Sequence, residues 1–204
     1  MKWIRSIYDW VLKWAERPSG PRVLFVLAFA EASFFPIPPD VLLIPLALGL
    51  RSKSFKFALL CSVGSILGAI LGYNLGYYAW WSGTGDFTPF AHFFFQNIPG
   101  MSVNGFVKLK ALYETWNFWI IFTAGFTPIP FKLFTISAGA FNVEFPMFLI
   151  ASIVSRSARF FLVAGLIWIF GEPIREFIDK YFNLLAILFT VLLIGGFLMI
   201  KWLV

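Results

Sequence analysis

Two apolar stretches of this chain are each broken in the middle by prolines, and that interruption constrains the fold more than any other feature. The first runs from Val23 to Leu50, apolar except for Glu31, Ser33 and Asp40, and is cut by Pro36, Pro38 and Pro39. Its halves, of about 12 and 10 residues, reach only about 18 and 15 Å at ~1.5 Å per residue, whereas about 20 residues are needed to cross a bilayer. Neither half can cross alone. The stretch therefore reads as a re-entrant hairpin of two short helices meeting at a proline turn, with irregular backbone that must be surrounded by protein or a cavity. Residues 117–141 repeat the plan, interrupted by Thr127-Pro128-Ile129-Pro130 and resuming after Lys132.

Composition says what the solvent is. With 60% hydrophobic and 13% charged residues among 204, a soluble globule would lack the polar surface to cover itself. Lipid is the expected solvent, and 27 Phe and 9 Trp suit the apolar slab and its interfaces. The expected fold class is an all-α integral membrane protein: one domain over 1–204, with two inverted re-entrant hairpins, about three transmembrane helices and interfacial amphipathic helices. The net charge of +6 comes from basic residues that flank apolar segments, which reads as membrane topology and excludes nucleic acid as a partner. Cys61 is the single cysteine and reads as a small packing residue, leaving no disulfide framework and no thiolate metal site.

Along the chain, residues 1–22 carry charges throughout and no continuous apolar core, so they are expected to be retained; Trp3, Ile7, Trp10, Val11 and Trp14 share a helical face, either lying on the membrane or packing internally. After the first hairpin, 23–50, comes a span over 57–81 with Gly64, Gly68, Gly72 and Gly76 four apart. That stripe permits close helix contact, inside the chain or between two copies, so a homo-oligomer stays open. Residues 82–116 read as an external connection ending in a short amphipathic helix with Lys108, Lys110 and Glu114. The second hairpin, 117–141, a span over 147–170, an interfacial connector at 171–181 and a last span at 184–200 complete the chain.

Aligning the two breaks sets Pro36-Ile37-Pro38-Pro39-Asp40 over Pro128-Ile129-Pro130-Phe131-Lys132, so the same motif ends once in an acid and once in a base. A hairpin plus a span changes sides once, so the second unit must enter from the opposite face. Inverted repeats of broken helices meeting near the midplane are the signature of carriers. This layout also keeps Arg51, Lys53 and Lys56 with the basic N-terminal segment, leaving Lys108, Lys110 and Lys201 on the other side. By the positive-inside rule the expected location is the cytoplasmic membrane, multi-pass, with a cytoplasmic N-terminus.

Five ionisable residues are then expected at depth: Glu31, Asp40, Lys132, Arg156 and Arg159. A central charge is penalised by about 2.5–3.5 kcal/mol on insertion scales, so these groups should face one another or a watery cavity. One reading is a self-satisfied ion-pair cluster; in either reading Asp40 and Lys132, equivalent in the repeat, are expected to approach one another or to share the cavity between the hairpin tips. The other starts from the surplus cation: Arg156 and Arg159, three apart on one face, offer forks for a phosphate, with Lys132 and Asp40 completing the substrate-binding set. A carboxyl taken out of water holds a proton more readily, which makes Glu31 and Asp40 the candidates for proton coupling.

These residues resemble the DedA family, also called SNARE-associated or VTT-domain proteins, and especially its branch with a Glu-x-Ser-Phe-x-Pro-Ile-Pro opening. The resemblance covers residues 23–170. It rests on Glu31-Ala32-Ser33-Phe34-Phe35-Pro36-Ile37-Pro38-Pro39-Asp40 and on Gly125-Phe126-Thr127-Pro128-Ile129-Pro130-Phe131-Lys132, with Ala138-Gly139 after it. It implies movement of polyprenyl-phosphate carriers or phospholipids between leaflets, dependent on the proton-motive force, with two acids and two arginines as functional charges. Glu31 and Asp40 resemble the acids. Gly125 stands where many members carry an arginine, and Lys132 lies one residue past the second arginine's place, so Arg156 or Arg159 is expected to replace the missing charge.

The expected function is therefore a flippase or scramblase that moves a lipid phosphate such as undecaprenyl phosphate or a phospholipid. Its partners are membrane lipids, the anionic substrate and protons. The alternative is a membrane scaffold or homeostasis protein that transports nothing. An enzyme is not expected: residues 16–22 and Ser155-Arg156 faintly echo membrane phosphatase motifs, but those enzymes need histidines as nucleophile and acid, and the single His92 lies out of order with both fragments. No cofactor is expected, and a metal site would lack its His or Cys set.

Overall fold

The structure, a computed structural model, describes residues 19–35, 37–97, 102–127, 129–171 and 173. The interfacial helix expected near the N-terminus, the connector after residue 173, the span expected at 184–200 and two break residues, Pro36 and Pro128, lie outside the described residues. What is described is helical, without a strand; a single bridge joins Trp81 and Phe87.

Helix α1 (Gly20–Ser33) starts with Pro21 in its first turn, where a missing N–H costs nothing. It stops at the break: Ser33 donates to the Phe29 carbonyl, and the N–H groups of Phe34 and Phe35 both turn back onto Ala30. Pro38 and Pro39 have no N–H to continue the ladder. Helix α2 (Asp40–Gly49) begins at once after Pro39, with the Asp40 carboxylate at the positive end of the helix. A 3-10 turn (Arg51–Lys53) leads into α3 (Ser54–Trp80). After a connection that holds a short helix, α4 (Pro89–Asn97), comes α5 (Val103–Phe126), then the second break, α6 (Phe131–Ala140) and α7 (Phe145–Phe170). The helix α5 is kinked at Trp116, whose backbone is non-helical, so the amphipathic helix around Lys108 and the first arm of the second hairpin join at that point. The short helix α4 lies in the connection before it.

At 27 and 26 residues, α3 and α7 are long and apolar enough to cross a membrane. They run antiparallel: Tyr73 meets Phe145 and Phe148 at one end, and Phe55 meets Phe161 and Trp168 at the other. The glycine stripe of α3 faces inward. A Cβ on Gly64 or Gly68 would strike the carbonyl of Phe25 or Phe29 on α1, one on Gly72 the Thr135 hydroxyl, and one on Gly76 the Ile136 carbonyl on α6. Large side chains point outward instead, among them Leu59, Leu67, Leu75, Ile150, Leu162 and Trp168, all exposed.

These contacts fix directions. Helix α1 climbs beside α3 from the Ser54 end, with Phe25, Phe29 and Ala32 level with Gly64, Gly68 and Gly72. Helix α2 runs back alongside α7, with Asp40 at Arg159 and Arg51 at Trp168. The second unit starts from the Trp80 end, where Trp80 stacks on Phe106. Helix α5 descends until Gly125 meets Ser155, and α6 climbs again until the Ala140 carbonyl accepts the Trp81 indole N–H. Each helix–break–helix unit thus returns to the end it came from. Its second arm crosses to the other unit's long helix, α2 to α7 and α6 to α3. The two breaks meet partway along α3 and α7.

Candidate functional site

Four of the five charges singled out in the sequence form two ion pairs where the breaks meet. Arg156 donates through Nη2 to Glu31 Oε2 at 2.7 Å and through Nε to Ser65 Oγ at 2.6 Å. Its guanidinium lies over the rings of Phe131 and Phe160, at 5.0 and 4.6 Å from their centroids. The second oxygen of Glu31 accepts the backbone N–H of Phe131 at 3.3 Å, one of the donors that the start of α6 leaves without a helical acceptor. Only 3% of the Arg156 side chain and 8% of the Glu31 side chain reach the surface. This pair is sealed and hydrogen-bonded on both sides, as a buried pair must be to offset its desolvation.

The second pair is looser. Arg159, one turn further along α7, donates through Nη2 to Asp40 Oδ2 at 2.6 Å and through Nη1 to the Phe126 carbonyl at 3.1 Å. These side chains keep 15% and 16% exposure, and neither Asp40 Oδ1 nor Arg159 Nε has a hydrogen-bond partner among the described residues. The fifth charge, Lys132, has no acid beside it among the described residues; its Nζ approaches the Phe34 carbonyl at 3.4 Å.

Of the two arrangements expected for Asp40 and Lys132, a direct ion pair is not formed among the described residues. Repeat equivalence places both residues at a helix start, but α2 packs along α7, and this sets Asp40 opposite Arg159. The two arginine forks also do not stand open side by side, because each is engaged by an acid from a different arm of the first unit. Pro39 and Pro130 stand directly before α2 and α6, and Pro38 lies between α1 and α2.

Gly125 has a packing reason: a Cβ there would strike the Ser155 hydroxyl, so no larger side chain fits against α7. His92 sits on α4, edge-on to the Phe87 ring. Sequence reasoning missed Ser65, the Phe131 N–H and the Phe126 carbonyl. Ser65 carried only the weak signal of a hydroxyl inside an apolar span, and backbone groups carry none. Arg51 was read only as a flanking charge. It donates to the Trp168 carbonyl at 2.6 Å and to that of Ile169 at 3.3 Å, closing the last turn of α7.

No protein-family model matches the chain, and no solved structure matches it. It is 34% identical over 201 residues to an uncharacterized protein of Haemophilus influenzae, across 98% of this chain and all of that one. An uncharacterized protein of Histophilus somni is 34% identical over 166 residues, 81% of this chain and 82% of its own. At that identity over nearly its full length, the chain belongs to the family of these two proteins.

Proposed function

We propose that the chain is a multi-pass protein of the cytoplasmic membrane that carries a lipid phosphate between leaflets. One observation carries this reading: a surplus cation, Lys132, and a half-satisfied arginine, Arg159, stand where two helix breaks meet between two membrane-length helices. A phosphate head group matches that charge, and irregular backbone lining the path gives it polar partners. The outward-facing large apolar side chains and inward-facing glycines of α3 suit a lipid solvent. The resemblance to DedA proteins supports the same reading, with the two units as inverted re-entrant hairpins. Arg22, Arg51, Lys53 and Lys56 cluster at the Ser54 end, whereas Lys108 and Lys110 share the Trp80 end with Asp86, Glu114 and Glu144. That asymmetry supports a cytoplasmic Ser54 end.

The second reading, a scaffold, is favoured by the sealed Glu31–Arg156 pair, which looks built to hold elements together. Proteoliposomes separate the two readings. Wild type should speed exchange of a labelled phosphate lipid between leaflets, and Lys132→Gln combined with Arg159→Gln should abolish it in protein that still elutes as one folded species. Failure of folded wild type to move any phosphate lipid leaves the scaffold reading standing.

A further inference from the structure

We propose that Asp40 is the resident occupant of the phosphate site, and that an incoming phosphate takes Arg159 from it in exchange. The inference deepens the carrier reading and rests on it. It follows from the inequality of the two ion pairs. Glu31 uses both carboxylate oxygens and Arg156 is gripped by Glu31, Ser65 and two rings, so releasing that pair would strand two buried charges at once. Asp40 holds Arg159 by a single bond. Its other oxygen and the Arg159 Nε, the second prong of the fork, are unmatched among the described residues. A phosphate presents acceptors to both prongs, which the carboxylate as placed does not. Lys132, on the neighbouring break at Phe34, is the second cation for the same guest.

Exchange leaves Asp40 without its counter-ion. Arg156 and Arg159 on α7 and Cys61 on α3 lie within electrostatic reach of Asp40. Of these, Arg159 alone is bonded to it. The pair is thereby the point at which a phosphate exchanges with a carboxylate.

The test uses the full-length protein in phosphatidylcholine nanodiscs, titrated with inorganic phosphate, and a parallel set of discs in which phosphatidic acid is part of the bilayer. Binding is read by calorimetry in the first arm and by thermal stabilisation in the second. Asp40→Asn should bind about tenfold tighter than wild type at mildly basic pH, the size of one charge-assisted contact freed from competition. Asp40→Ser repeats the comparison with a smaller neutral side chain, and Arg159→Lys should lose binding because it loses the fork. A response to free phosphate supports exchange by the head group alone, and a response confined to phosphatidic acid supports exchange of a lipid. Binding by wild type that Asp40→Asn and Asp40→Ser leave unchanged or weaken overturns the exchange but not the carrier. Binding of neither probe by any variant removes the anion site, and the carrier reading with it.

Discussion

The carboxylate of Glu31 accepts the backbone N–H of Phe131 at 3.3 Å, across 100 residues of sequence. One side chain from the first unit thereby serves the start of a helix in the second, while its other oxygen holds Arg156 on α7. Three helices depend on this one residue.

Glu31→Ala should therefore destabilise the protein by about 3–5 kcal/mol, because it leaves Arg156 buried without a counter-charge. Adding Arg156→Met should recover part of that loss, leaving the double variant more stable than the two single losses predict. Thermal unfolding in one detergent measures all three. Simple additivity would mean that the pair does not form.

A second cycle separates the partner found for Asp40 from the one expected. Asp40→Asn with Arg159→Gln should show a coupling of about 0.5–3 kcal/mol, the range for residues in contact. Asp40→Asn with Lys132→Gln should be additive to within about 0.5 kcal/mol. The reverse result would restore the Asp40–Lys132 pairing.

The glycine stripe should tolerate nothing larger. Gly68→Leu and Gly76→Val press side chains into the carbonyls of Phe29 and Ile136, and backbone cannot yield as a side-chain tip can. Both should lose monodisperse, folded protein on size exclusion. Gly49→Ala and Gly83→Ala, where a Cβ meets nothing within 4 Å, should behave as wild type. Equal behaviour of the two sets would contradict the packing of α1 and α6 on α3.

Single cysteines at the exposed Ser52 and Asn104 should label from opposite sides of the membrane, Ser52 from the cytoplasm. Ser54 is a poor reporter, since it is buried with its hydroxyl on the Arg51 and Ala47 carbonyls. Labelling of Ser52 and Asn104 from one side would rule out the opposed entry of the two units.

The sequence alone determined where the helices stop and which charges lie between them. Prolines 38, 39 and 130 act through their own missing N–H groups, and an alternation of apolar runs with basic flanks is local information. It also marked Gly64, Gly68, Gly72 and Gly76 as a contact face, because their spacing is a property of one helix. Only the tertiary structure decided what that face touches and which acid meets which cation. Repeat symmetry paired Asp40 with Lys132, but pairing depends on which helices lie side by side. The second arm of each unit crosses to the other's long helix, so Asp40 meets Arg159, and Glu31 reaches both Arg156 and the start of α6. Burying a charge is affordable only beside its counter-charge, so the packing of whole helices settles the partners of single side chains.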